Sequence, residues 1–273
     1  MNIKIKTLLL AVSCVILAGL GLQGYSATQG GNPGAAAPAP AAPNAPATQG
    51  RQARPALAPV TGAAASKADT VKTIAPYFIP ATKKVMAPEA DGFIQRWLLL
   101  DPINKPNRSN TVFTDSYIRT AFTTEYFPNQ FTVIPKDGET VKVGEQVLAW
   151  HALESTLFNV KLFRFAYGSR KPYYGVIFWA VTIVNSPSEM KNVRMAVGSN
   201  SASKWWLNGN EAVILSGDRR MVMDDGLSAR LTLKKGKNII RGAVINGPGM
   251  SDFCVRFLDE KGAPIKNLTI TCD

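Results

Sequence analysis

The chain has 273 residues, enough for one large domain or two small ones, and its 46% hydrophobic content permits a real core even though an alanine-rich stretch inflates it. The formal charge is +12, but Lys4, Lys6, Arg51, Arg54, Lys67, Lys72, Lys83 and Lys84 face a single acid, Asp69, so that only about +5 remains from Val85 onward. A nucleic-acid footprint needs a dense basic stripe. Only Lys234, Lys235 and Lys237 cluster, at a turn where solvated charge is the ordinary explanation, so no nucleic-acid partner is expected.

Lys4 and Lys6 precede an apolar run over residues 7–22, which small residues (Gly24, Ser26, Ala27) and Tyr25 follow. This is the anatomy of a secretory signal peptide, placed at 1–27, and the run is shorter than the ~20 residues a spanning helix needs. Cleavage after Ser26 puts Gly24 and Ser26 at the two small-residue positions, whereas cleavage after Ala27 puts Tyr25 at one of them. Lipoprotein processing at Cys14 and an uncleaved anchor are the alternatives, although the first leaves half the apolar run on the mature chain. The chain is therefore expected to be exported to the periplasm, the cell surface or the medium.

Residues 28–84 form an expected disordered tether. GNPGAAAPAPAAPNAPATQG has no apolar side chain larger than Ala or Pro, and it cannot bury enough surface to offset its ordering entropy. Alternating Ala and Pro make it a semi-stiff spacer. YFIP at 77–80 is expected to pack on the edge of the domain that follows.

From residue 85 to 273 the pattern predicts one all-β domain, a β-sandwich. Strands are expected at 93–100, 146–151, 159–165, 173–184, 192–197, 203–207, 212–215, 227–233, 238–245, 253–258 and 265–271, with one or two helical turns over 115–125. NSPSE, LNGNE, KKGKN, NGPGM and DEKGAP separate them as turn clusters. Short strands at such spacing, without a long amphipathic helix, are a sandwich signature. Leu227, Ala229, Leu231 and Leu233 alternate onto one expected face. Trp205 and Leu207 share a strand face while Lys204 and Trp206 take the other, and Asn208-Gly209 suits a type I′ turn.

Four segments carry a family resemblance: DGFIQRWLLLDPI, VGSNSASKWWLNGNEAV, LTLKKGKNIIRGAVING and DFCVRFLDEKGAPI. Together they resemble galactose-binding-like jelly-roll accessory domains attached to bacterial polysaccharide-degrading enzymes (acetylxylan esterases, β-galactosidases) and surface proteins. The resemblance implies a jelly roll over residues 91–273 and a polysaccharide or other glycan as partner. A polysaccharide-degrading enzyme is the other partner it implies, and an envelope protein is the partner of a rival reading as an interaction module. In related protective-antigen-type lectin domains, adjacent aspartates before the central hairpin hold calcium; here Asn200-Ser201-Ala202 stand there. Carboxylates supply most of the affinity for Ca²⁺, so no metal and no cofactor is expected. Asp224-Asp225 is a second acidic pair, read as a loop with solvated carboxylates.

No nucleophile elbow, phosphate loop or Cys/His cluster occurs, and the one histidine, His151, ends a strand, so no catalytic residue is assigned. Cys254 and Cys272 are either a disulfide in an oxidising compartment or two half-buried thiols. Sugars stack their C–H-rich faces on aromatic rings and hydrogen-bond at their edges. The candidate contacts are Trp206, which is either under a loop or exposed, with Tyr173, Tyr174, Asn208 and Asp225. Trp179 is a weaker candidate, and Trp97, Trp150 and Trp205 are expected in the core. The expected function is a non-catalytic carbohydrate-binding module. The alternatives are a protein-interaction module of the envelope or an accessory domain of a carbohydrate esterase.

Overall fold

The computed structural model describes residues 73–82 and 84–273. The expected signal peptide and nearly all of the expected tether lie outside the described residues. In chain order the elements are β1 (Phe78–Pro80), β2 (Arg96–Leu100), β3 (Ile103–Asn104), α1 (Asp115–Thr123), β4 (Thr140–Val143), β5 (Gln146–Ser155) and α2 (Leu162–Gly168). They continue as β6 (Val176–Ser186), β7 (Met190–Ser199), β8 (Ala202–Leu207), β9 (Asn210–Leu215), β10 (Gly226–Leu227), β11 (Leu231–Leu233), β12 (Gly236–Asn246), β13 (Phe253–Leu258) and β14 (Thr269–Thr271). The all-β sandwich expected from the sequence is what forms.

Among the described residues the strands make two antiparallel sheets. The larger has ten strands ordered β1-β5-β2-β6-β12-β8-β9, with β3 and β14 also on β6 and β4 also on β5. The smaller has four, ordered β10-β7-β11 with β13 on β7. Trp97, Leu99, Phe178, Ala180, Trp205 and Val244 from the larger sheet share one core with Met195, Val197, Phe253, Val255 and Phe257 from the smaller. Expected core positions Trp97, Trp150 and Trp205 are all buried.

The larger sheet is covered on its other face too. Leu98, Leu100, Trp150, Ile177, Trp179, Val181, Trp206, Ala243 and Ile245 form a second cluster there, capped by Phe113, Ile118, Phe122 and Phe127 from the segment between β3 and β4. Strand β6 is therefore buried on both sides, and this is why it reads as an unbroken apolar run. Helix α1 supplies the lid. Thr114 caps it by accepting from the Tyr117 N–H at 3.3 Å, and Ile118, Ala121 and Phe122 fall on one face.

The central hairpin forms as the sequence predicts. Asn208 (φ 52°) and Gly209 (φ 85°) take the two left-handed positions of a type I′ turn between β8 and β9. Strand β12 then pairs along its length with β6 and with β8, which makes it the spine of the larger sheet.

Two expectations need correction. Residues 162–168, inside the predicted strand 159–165 and beyond it, are helical. Leu162, Phe165 and Ala166 are the buried positions, an i, i+3, i+4 set that period-2 alternation cannot place on one face. The predicted strand 227–233 is two fragments. The Ser228 hydroxyl accepts from the Met195 N–H at 2.9 Å and donates to the Ala229 carbonyl, and the register shifts between Leu231 and Leu233, so Leu227 and Ala229 point outward. Of the two readings left open for Cys254 and Cys272, the structure has the free thiols, with Cys254 fully buried. Strand β13 pairs with β7 in the smaller sheet whereas β14 pairs with β6 in the larger, so the segments carrying the two cysteines belong to different sheets. Burial pushes both thiols up to about 12.

Candidate functional site

The structure distributes the predicted ligand contacts over three places. Trp206 with Asn208 lies on the covered face of the larger sheet, Asp225 lies on the loop after β9, and Tyr173 with Tyr174 lies at the start of β6.

Trp206 is under a loop. Its ring stacks on Trp179 (5.6 Å between centroids, 15° between planes), meets the edge of Phe131 at 6.1 Å, and has the Lys204 ammonium 5.2 Å from its centroid. Only 8% of the residue is exposed. Trp206 is therefore not an open platform for a pyranose, and it meets solvent only through a cavity of about 270 Å³ shared with Thr123, Phe131, Gly209 and Arg241. Asn208 is spent on the fold. Its amide donates to Asn238 Oδ1 at 3.0 Å and accepts from the Ile239 N–H at 2.9 Å, which ties the hairpin tip to β12.

The carboxylates of Asp224 and Asp225 keep access to solvent, as expected, and each is also ion-paired. Asp225 binds Arg219, and Asp224 binds Arg256 through two nitrogens. In the neighbouring loop the Asn200 side chain accepts from the Met221 N–H. Among the described residues no three of His, Cys, Asp and Glu group as a metal site.

Tyr173 and Tyr174 stand in a different environment. Helix α2 buries Leu162, Phe165 and Ala166, which leaves Phe163, Arg164 and Tyr167 on its outer side. Phe163 meets Tyr173 edge-on at 4.8 Å and stacks with Tyr167 at 6.1 Å, and Tyr173 meets Tyr174 at 4.6 Å. The Arg164 guanidinium lies 5.0 Å from the centre of the Tyr77 ring and extends the array. The Tyr173 backbone is held by Asn246, whose amide donates to its carbonyl at 2.7 Å. Gly175 (φ 62°) turns the chain into β6 and lets the segment 105–107 approach, with the Lys105 N–H donating to the Gly175 carbonyl at 2.7 Å. A side chain at Gly175 would sit 3.2 Å from the Pro106 backbone.

The result is an open cleft of about 460 Å³ lined by Tyr174, Gly175, Asn104, Pro106, Asn107 and Arg108. Tyr174 is 51% exposed, so its ring is available beside the Asn104 amide and the Arg108 guanidinium, whereas the Asn107 amide donates to the Lys105 carbonyl at 3.0 Å and its oxygen is buried. Sequence reading found the tyrosines but missed Phe163, which sat in the misassigned strand 159–165, Tyr167 just beyond it, and Asn104, Asn107 and Arg108. The signal for the latter was the polar run NKPNR between two apolar segments.

His151 belongs to no such array. Its Nε2 is 3.1 Å from Asp101 Oδ1 and its ring packs on Phe165 at 5.4 Å. Burial raises the Asp101 carboxyl, but hydrogen bonds from His151, the Ala149 N–H and Lys171 outweigh it and hold the group at about 2. A folded value below the unfolded 3.8 stabilises the fold above pH 4, and that contribution is lost as the pH falls from 4 to 2. The side chain is only 2% exposed, so the expected size is about 2 kcal/mol. Asp101→Asn is expected to lower stability by roughly that amount at pH 7 in urea unfolding, with the gap to the wild type closing near pH 2. An equal gap at both pH values would contradict the assignment.

No protein-family model matches the chain, and no curated protein matches it. Among solved structures the chain is similar to a PA14 sugar-binding domain from an RTX adhesin, at 8% identity over 64% of this chain and 96% of that one, with a TM-score of 0.39. It is also similar to the PA14 domain of the antifreeze protein MpAFP, at 11% identity over 69% and 92%, with a TM-score of 0.38. A beta-glucosidase from Kluyveromyces marxianus, in complex with glucose, is similar at 14% identity over 60% of this chain and 16% of its own, with a TM-score of 0.32. Fold and site together define an antiparallel β-sandwich with a half-exposed aromatic cleft at one end.

Proposed function

We propose that this chain is a non-catalytic carbohydrate-binding module of an exported protein, and that it takes sugar in the Tyr174 cleft. One observation carries the proposal. A half-exposed tyrosine ring, backed by Tyr173 and Phe163, opens onto a cleft whose polar edge is Asn104 and Arg108. A pyranose needs that combination: an apolar face to stack on, and donors and acceptors at the hydroxyl-bearing edge. A site for a protein partner would instead offer a flat apolar patch of several hundred Å². The sequence resemblance to galactose-binding-like accessory jelly rolls supports the same function. The Ala/Pro-rich segment ahead of the domain then serves as a spacer between the sandwich and its point of attachment.

The test is calorimetric titration of the full chain with soluble oligosaccharides cut from plant and bacterial polysaccharides. Tyr174→Ala is expected to weaken binding by about ten-fold or more, equivalent to about 1.4 kcal/mol, while Tyr174→Phe keeps the stacking face and most of the affinity. Equal binding by Tyr174→Ala and the wild type would remove the site from this cleft.

A further inference from the structure

The cavity beside Trp206 contains a charge with no counter-charge among the described residues. Arg241 projects from β12 into the covered face of the larger sheet and lines that cavity. The residue is 4% exposed. Among the described residues its one hydrogen bond runs from Nη2 to the Val133 carbonyl at 2.7 Å, and its Nε has no acceptor. The local acids are already engaged. Glu211 accepts from Arg119 at 3.0 Å and is 2.9 Å from Lys204, and Asp115 accepts from Arg119 at 2.8 Å. Glu211 is moreover two strand spacings from Arg241 across β8 and β9, about 10 Å between Cα atoms, and both its oxygens accept from Arg119. A buried guanidinium without a carboxylate is costly, and a ligand anion is the remaining way to neutralise it.

We propose that this cavity is a second site, independent of the Tyr174 cleft, for a small molecule bearing one carboxylate. The carboxylate pairs with the Arg241 guanidinium. A ring or other apolar body lies against Trp206 and Phe131, and the Thr123 hydroxyl, which donates to the Arg119 carbonyl at 2.8 Å, is left to accept from a polar substituent. At about 270 Å³ the cavity is below the usual 300–1,000 Å³ of ligand pockets, so the body is no larger than one hexose or one benzene ring. Two sources share this chemistry: a hexuronic acid and a simple aromatic acid.

Thermal unfolding of the full chain separates them. Sodium glucuronate, galacturonate and benzoate, each at ~10 mM, are compared with glucose and benzyl alcohol as neutral counterparts. At least one acid is expected to raise Tm by about 2 °C or more, and the neutral compounds are not. A rise with uronates alone assigns the sugar acid, and one with benzoate alone assigns the aromatic acid. Arg241→Met abolishes the rise, Arg241→Lys retains part of it, and Tyr174→Ala leaves it intact. No rise with any acid, an equal rise with the neutral compounds, or an unchanged rise in Arg241→Met would overturn the proposal. Because the comparison of acids with neutral compounds uses unaltered protein, it decides the matter even where a variant fails to fold.

Discussion

Replacing Trp205 with alanine is expected to lower the free energy of unfolding by about 3–5 kcal/mol. The residue is fully buried, with ring centroids 5.9 Å from Trp97 and 4.8 Å from Phe253. Phe253 belongs to β13 and Trp97 to β2, so the indole joins the smaller sheet to the larger. Its N–H donates to Ser203 Oγ at 3.0 Å, which satisfies the one polar atom it brings into the core. On the other side it lies over Gly242, where a side chain would sit 2.2 Å from the ring. Glycine is thus required at Gly242 for the indole to seat, and the void left by its removal has no neighbouring side chain on β12 to fill it. Urea unfolding with an unchanged slope and a lower midpoint is the expected record. A loss below about 1 kcal/mol would place Trp205 outside the intersheet core.

The second large effect is at the junction of the chain's entry and exit. Arg96 and Glu154 face each other across β2 and β5, with 3% and 8% of each residue exposed, and Arg96 Nη2 donates to Glu154 Oε1 at 2.6 Å. The same guanidinium donates to the carbonyls of Lys84 and Ile270 and to Thr82 Oγ1, while Glu154 accepts from the Thr82 N–H at 3.0 Å. One ion pair therefore fastens the segment leading into the domain to β14 at its end. Glu154→Ala leaves the guanidinium buried without its counter-charge, and a loss of about 3–5 kcal/mol is expected. Arg96→Met with Glu154→Leu removes both charges at once and is expected to be more stable than Glu154→Ala alone. Limited proteolysis of Glu154→Ala should cut near residues 82–84 before the rest of the domain yields. A single variant no less stable than the double would show that the pair is not buried in solution.

The fold was legible where one periodicity ruled a segment. The hairpin at 203–215 announced itself through Asn208-Gly209 and the alternation of Trp205 and Leu207, and the run over β13 matched its strand from end to end. Legibility failed where two signals competed over few residues. Val160 and Leu162 alternate like a strand, but α2 begins at Leu162 and only its continuation to Ala166 shows the helical spacing. Leu227 to Leu233 alternates in sequence, yet Ser228 replaces a ladder partner with its hydroxyl, and alternation cannot report that. The candidate site was half legible. The tyrosines were named from composition and position, whereas the exposure of each aromatic depends on a lid assembled from residues 105–135. That lid closes over Trp206 and leaves Tyr174 open. Arg241 carried no sequence signal, because a charged residue inside an apolar strand declares itself only once its partners can be counted.

The central claim is that this sandwich holds sugar. Affinity electrophoresis of the full chain through gels containing single plant and bacterial polysaccharides tests it most directly. The account predicts retardation by at least one glycan class, and recovery of free mobility when Tyr174 is replaced by alanine in a protein whose circular dichroism is unchanged. Free mobility of the unaltered chain in every gel would contradict it and turn attention to protein partners of the aromatic end.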